Sequence, residues 1–146
     1  MEIDLKDVLE QEKDIFKQFL EEFWLEVDPE YKKVKNFIDK YLKNLFSNYS
    51  RKKCWIYYKK ERIGIIIYYF YSNLGSLEQN LHISEFFIKK EHRKKGIGTN
   101  AIKKLVFLYP IQELRLEVLN SNQGGVAFWK SLGFNSWKYI MKKIKG

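Results

Sequence analysis

The sequence is poor in the residues that build disulfides and metal centres, with one cysteine and two histidines in 146 residues. Cys54, in "KCWIYY", cannot close an intramolecular disulfide, and without Cys or His neighbours it cannot seed a zinc cluster. A small buried hydrophobe is its expected role. Long hydrophobic runs are also missing: nowhere do 18 apolar residues follow one another, which argues against a membrane-spanning helix. The N-terminal "MEIDLKDVLEQEKD" is acidic where a secretory leader is basic and then apolar. These absences predict a soluble, cytoplasmic protein with no metal and no membrane partner. Only two prolines occur, and each marks a boundary. Pro29 in "DPEY" suits the first position of a helix capped by Asp28, and Pro110 ends another helix.

Apolar and aromatic residues, by contrast, are plentiful, at 45% and 17% of the chain, enough for one packed core and a single domain over residues 1–146. Charge is unevenly spread. Residues 1–30 hold eleven acids against three lysines, a charge of −8, and the net +9 therefore leaves +17 for the remainder. Such polarisation suggests two different partners, although a lysine-rich surface also serves solubility alone.

Helical spacing relates Val8, Leu9, Ile15, Phe16, Phe19, Leu20, Phe23 and Trp24, and then Val34, Phe37, Ile38, Tyr41, Leu42 and Leu45. Both stretches predict amphipathic helices, after a short leading strand at "MEI". From Cys54 the texture changes to β-branched and aromatic runs. "CWIYY" and "IGIIIYYFY" read as strands joined by a hairpin at "KKER", the second apolar enough to be buried on both faces. "LHISEFFI" predicts the next strand, "ELRLEVL" a later one, "QGGVAFWKSLG" a short helix closed by Gly133, and "FNSWKYIMKKI" a last strand. The result is an α/β chain with a strand, turn and helix unit at its middle.

That unit carries the chemistry. In "EHRKKGIGTNAIKKL" three cations, Arg93, Lys94 and Lys95, precede a Gly-x-Gly turn that opens a helix. Unpaired N–H groups and the positive end of the helix dipole make such a turn an anion site, and Gly96 and Gly98 let backbone approach the anion closely. A pyrophosphate is the natural occupant. "GIGTNA" lacks the Gly-Lys-Ser/Thr of a Walker A loop. Gly96, Gly98, Ala101 and Glu117 come closer to a Rossmann fingerprint, but charged residues separate the strand from the first glycine, and too few residues remain after it for a second half.

The strand "EFFIKK" followed by "RKKGIG" resembles the Arg/Gln-x-x-Gly-x-Gly/Ala motif of the GNAT superfamily of acyl-CoA N-acyltransferases. A second stretch, "NQGGVAFWKSLGF", is similar to the family's later Asn-x-x-Ala and Tyr-x-x-x-Gly-Phe segment. Asn122 stands at the Asn, Gly125 replaces Ala, and Trp129 stands where Tyr is common. The resemblance spans about residues 52–145. It implies an α/β (α+β) fold whose mixed, twisted central sheet is flanked by helices and splays open at an acyl-CoA site, with residues 1–50 as a helical acceptor-side segment. It also implies acetyl-CoA as donor, with Phe87 and Ile88 hydrogen-bonding the pantetheine arm through their backbone. Arg93, Lys94, Lys95, Gly96, Ile97, Gly98 and Thr99 would cradle the pyrophosphate, Asn122 would contact the pantetheine, and Phe128 and Trp129 would pack near the thioester.

Acyl transfer to an amine requires the neutral amine, which for a lysine-like group is about one part in ~2,500 at neutral pH, so a base is needed. Glu85 is the first candidate, between apolar Ile83 and Phe87 where burial would raise its pKa. His82 on the same strand is the rival, and strand alternation sets the two on opposite faces unless a bulge intervenes. The resemblance implies a tyrosine at the position of Trp129 to protonate the leaving thiolate, and an indole is too weak an acid for that; Tyr139 on the last strand, one of ten tyrosines, could substitute, or water could. For the acceptor, Asp7, Glu10, Asp14 and Glu21 would gather on the outer side of the first helix. They would attract a small cationic amine such as an aminoglycoside or polyamine, or a lysine-containing peptide. The aromatics of the last strands could support a homodimer. Two other functions fit parts of the sequence, a nucleic-acid-binding module built on the basic blocks and an acyl-CoA-binding domain without turnover.

Overall fold

The computed structural model describes residues 1–27 and 35–146. The expected helix boundary at "DPEY" lies outside the described residues. Apolar side chains at helical spacing, Phe16, Phe19, Leu20 and Phe23, put one face of helix α1 (Lys13–Val27) on the core. The same logic of spacing at Ile38, Leu42 and Leu45 buries one side of α2 (Lys35–Ser47). The first helix starts later than its apolar pattern suggests. Glu12 accepts the Leu9 N–H at 2.8 Å and the Trp55 indole N–H at 3.0 Å, and it pairs with Arg62. Those bonds hold residues 10–12 in a 3-10 turn and leave Val8 outside the helix.

Five strands form one sheet in chain order: β1 (Ile3–Asp7), β2 (Arg51–Tyr58), β3 (Glu61–Tyr71), β4 (Asn80–Ile88) and β5 (Leu114–Leu116). The first four are antiparallel neighbours, and β5 runs parallel to β4. A parallel pair needs a crossover, and helix α3 (Ile97–Phe107) supplies it. Helix α4 (Gln123–Ser131) comes after β5. The architecture is therefore the expected α/β one, a mixed sheet with helices. Strand β3 is buried on both faces, as its continuous apolarity predicts. Ile63, Ile66 and Tyr68 join the core under α3 and α4, while Ile65 and Ile67 join the core under α1 and α2. Among the described residues no helix is long and apolar enough to cross a membrane.

Two irregularities break the regular course of β4. Ile67 pairs with Glu85 but Tyr68 pairs with Ile83, so Ser84 is an extra residue on β4. This bulge shifts the alternation, and Ile83 and Phe86 pack in the same core cluster although they are three positions apart. By the same shift His82, opposite Tyr69, shares a face with Glu85, opposite Ile67. The second irregularity is that β4 and β5 pair only at residues 81–83 and 114–116. Beyond Ile83 and Leu116 the two strands part.

Two expected strands need correction. "ELRLEVL" shortens to Leu114–Leu116 because the opening sheet removes its partner. "FNSWKYIMKKI" is not a strand: residues 134–146 join no ladder, and Tyr139 and Met141 are each 91% exposed. Alternating apolar residues favour a strand only where a neighbouring backbone can complete the hydrogen bonds, and three-residue β5 offers little edge.

Candidate active site

Where β4 and β5 part, a cleft of about 610 Å³ opens between the end of α1, the second half of β4, the start of α3, the residues after β5, and α4. One end is basic and built from backbone. Gly96 begins α3 with a φ of 80°, and Lys94 before it has a φ of 62°. These left-handed positions turn the chain so that the first N–H groups of α3 stand at the cleft, which Lys94, Gly96, Gly98 and Thr99 line. Lys95 is exposed and Ile97 is buried in the core; neither lines the cleft.

Gly98 serves packing as well as the turn. A Cβ there would stand 3.0 Å from Phe128 Cζ and 3.3 Å from Ile88 Cδ1. Removing that side chain lets α3 meet α4 and β4 closely. Arg93 lines the cleft, yet its guanidinium already has partners. Its two Nη atoms donate to Glu26 at 2.5 and 2.7 Å, and Nε donates to the Ile88 carbonyl at 2.8 Å. Glu26, 67 residues away in the chain, gave no sequence signal of this role.

The other end is aromatic. Phe86 and Phe128 stack with centroids 5.7 Å apart, and Trp129 meets Phe86, Phe128 and Phe134 edge to face. Phe87, Ile88, Asn122, Phe128 and Trp129 all line the cleft, as does Phe23 from α1. Asn122 also caps α4 by accepting the Gly125 N–H at 3.0 Å. A Cβ on Gly125 would fall 2.6 Å from Asn122 Nδ2, so an alanine there would require the Asn122 side chain to shift.

Glu85 stands between two cleft-lining neighbours, Ser84 and Phe86, but on the α2 side of the sheet. Tyr41 donates its hydroxyl proton to Glu85 Oε1 at 2.6 Å, and Arg51 Nη2 donates to the Tyr41 oxygen at 2.7 Å. Arg51 is 4.0 Å from Oε2, and that buried oxygen has no hydrogen-bond partner among the described residues. Burial pushes the Glu85 carboxyl above the usual carboxylate range, opposed by the Tyr41 hydrogen bond and the Arg51 charge. Neither Tyr41 nor Arg51 was expected from sequence, because a helix residue and a strand-end residue acquire this role only through tertiary contact.

His82 is buried and has its own partners. Its Nδ1 accepts the Arg115 Nε–H at 2.9 Å, and its ring stacks on Tyr69 at 4.7 Å. Burial and then the Arg115 charge push its pKa below the ordinary histidine value. Tyr139 lies on the exposed C-terminal stretch and does not line the cleft. The four acids expected on one helix face divide. Asp14 and Glu21 are on α1, two turns apart, whereas Asp7 ends β1 and Glu10 belongs to the 3-10 turn, both drawing on Lys53. None of the four lines the cleft.

A helix start with its first N–H groups at the cleft and an aromatic pocket, joined by the stretch of β4 beyond its pairing with β5, have the shape and chemistry for a long ligand with phosphates at one end and an apolar group at the other. Comparison with known proteins agrees. The acetyltransferase (GNAT) family model matches residues 13–134. A thialysine N-epsilon-acetyltransferase of Bos taurus is 33% identical over 75 residues, 49% of this chain and 43% of that protein, so the match spans under half of the relative's length. A ribosomal-protein-alanine N-acetyltransferase from Brucella melitensis biovar Abortus 2308 superposes with a TM-score of 0.75 at 14% identity, over 98% of this chain and 100% of the other. An aminoglycoside acetyltransferase from an uncultured soil metagenomic sample gives a TM-score of 0.68 at 13% identity, over 99% and 95%. The chain belongs to the acetyltransferase (GNAT) family.

Proposed function

We propose that the protein moves the acetyl group of acetyl-CoA onto the primary amine of a small cationic molecule, aminoglycoside- or polyamine-like, or onto a peptide lysine. The observation that carries this reading is Glu85, a buried carboxylate with one oxygen that lacks a hydrogen-bond partner among the described residues, flanked on its strand by two residues that line the cleft. When bound, acetyl-CoA supplies a thioester carbonyl open to attack by an amine. The helix start at Gly96 to Thr99 suits the pyrophosphate, Phe87 and Ile88 offer strand backbone to the pantetheine arm, and Asn122, Phe128 and Trp129 bound the far end.

Glu85 accepts the proton of the acceptor ammonium, and its raised carboxyl pKa brings it nearer the range where a base is useful at neutral pH. His82 is the rival base, and its Nδ1 is already engaged with Arg115. The Trp129 indole cannot protonate the thiolate. Tyr139 is the tyrosine proposed for that step, and its exposure favours solvent water in its place. On the acceptor side Asp14 and Glu21 attract cations toward α1, with Asp7 and Glu10 adding negative potential at its start.

The experiment is a thiol-release assay with acetyl-CoA and a panel of spermidine, kanamycin and a lysine peptide. Amine-dependent release is expected with at least one; release with none would overturn the acceptor class. A homodimer through residues 135–146, where Trp137, Tyr139, Ile140 and Met141 are exposed together, is part of the same proposal.

A further inference from the structure

We infer that Tyr41 and Arg51 are positioning residues that hold Glu85 so that Oε2, and not Oε1, takes the acceptor's proton. This rests on the reading of Glu85 as the base.

The geometry fixes each hydrogen. Tyr41 has one hydroxyl proton, and it points to Oε1 at 2.6 Å. The lone pair behind that proton accepts from Arg51 at 2.7 Å, so the phenol cannot turn its proton elsewhere without losing both bonds. The Arg51 guanidinium also lies over the Tyr41 ring, 5.0 Å from its centroid, and Trp24 meets the same ring edge to face at 4.9 Å. Among the described residues the titratable groups that face Glu85 are Tyr41 from α2 and Arg51 from β2; on β3 its register partner is apolar Ile67. Burial, and the neighbouring carboxylate, hold the Tyr41 hydroxyl well above the ordinary phenol range. Tyr41 therefore remains a donor throughout the working pH range and is not itself the base.

Oε1 already shares a lone pair with the Tyr41 hydroxyl, which weakens it as a proton acceptor. Oε2 is different: it is buried, lacks a hydrogen-bond partner among the described residues, and feels Arg51 at 4.0 Å as a charge. A buried carboxylate oxygen with no partner is costly; Glu85 does not itself line the cleft, so the acceptor's proton would reach Oε2 through a water admitted beside Ser84 and Phe86. In the proton transfer, an N–H bond of the acceptor breaks and an O–H bond forms on Oε2. The ammonium loses its positive charge, the carboxylate its negative one, and the freed nitrogen lone pair attacks the thioester carbonyl.

A purely structural Tyr41 and Arg51 would join α2 to β2 and affect activity equally at every pH. As positioning residues they favour the ionised form of Glu85, so losing either raises its pKa. The sign is definite: more of the base is protonated on the acid side, and the deficit disappears at alkaline pH. The test is Tyr41→Phe and, as a second variant, Arg51→Gln. Each is compared with the unaltered protein by the pH profile of kcat/KM with spermidine and by 13C NMR titration of the Glu85 carboxyl, which needs no turnover.

Expected are an NMR midpoint moved to higher pH in both variants and, at acid pH, a loss of roughly tenfold in kcat/KM that closes as pH rises. The KM for acetyl-CoA should stay unchanged. An unmoved Glu85 midpoint in both variants would overturn the inference. Failure of the underlying reading looks different: Glu85→Gln would keep activity and its acid limb even though the midpoint in Tyr41→Phe had moved.

Discussion

Arg93 and Glu26 form a two-bond bridge, Nη1 to Oε1 at 2.5 Å and Nη2 to Oε2 at 2.7 Å, that fastens the last turn of α1 to the entrance of the anion turn. Both partners of the bridge line the cleft. It also places a carboxylate near the site proposed for a pyrophosphate, where its charge opposes binding and it engages the one arginine of the turn.

Glu26→Gln should accordingly tighten acetyl-CoA binding severalfold, most clearly at low salt, as isothermal titration would show. Its effect on stability should stay within about 1 kcal/mol, because both partners are part-exposed. Weaker binding in the variant would mean that the bridge organises the turn more than its charge disfavours the ligand.

Gly98→Ala should destabilise the fold by about 1–3 kcal/mol in urea unfolding, although alanine is the better helix former. The added Cβ meets the Phe128 ring at 3.0 Å, and that ring is held between Phe86 and Trp129 and cannot easily retreat. Acetyl-CoA affinity should fall with it, because the same movement narrows the cleft.

The β2–β3 hairpin turns through Lys59 and Lys60, both left-handed, with φ of 50° and 68°. Glycine is at home there and lysine is not. Lys60→Gly should stabilise the protein by about 1 kcal/mol, with activity untouched; no gain in the urea midpoint would count against the turn geometry.

Glu85 also makes stability depend on pH. Its folded pKa is raised by burial, so its favourable contribution is complete below the unfolded value and is lost as pH rises through the folded one. Glu85→Gln should therefore melt higher than the unaltered protein near pH 7, and the difference should close toward pH 4. A constant difference across that range would mean that the carboxyl is not perturbed.

The exposed C-terminal stretch bears on assembly. If it meets a second copy, Trp137→Glu with Ile140→Glu should halve the mass seen by sedimentation and leave the melting temperature of the remaining fold close to its starting value. A monomer in both cases would remove the dimer.

The sequence revealed most where local rules suffice. Helical spacing at Phe16, Phe19, Leu20 and Phe23 identified α1, the unbroken apolarity of β3 its burial on both faces, and the Gly-x-Gly turn the start of α3. What stayed hidden is non-local. The Ser84 bulge that brings His82 and Glu85 to one face arises from a register between two strands, and no residue in "HISEFF" announces it. Tyr41 reads as one more core position of an amphipathic helix, yet its hydroxyl reaches Glu85 across 44 residues of chain. "FNSWKYIMKKI" failed for the opposite reason: its own pattern favours a strand, but the pattern carries no information about whether an edge is there to receive it.

The central claim, acetyl transfer to an amine with Glu85 as the base, is tested most directly by one assay, thiol release from acetyl-CoA in the presence of spermidine, kanamycin or a lysine peptide, for the unaltered protein and Glu85→Gln together. The predicted result is amine-dependent release that matches N-acetylated product, reduced about 10²–10⁴-fold in the variant. Equal rates in the two proteins, or release that ignores the amine, would contradict it.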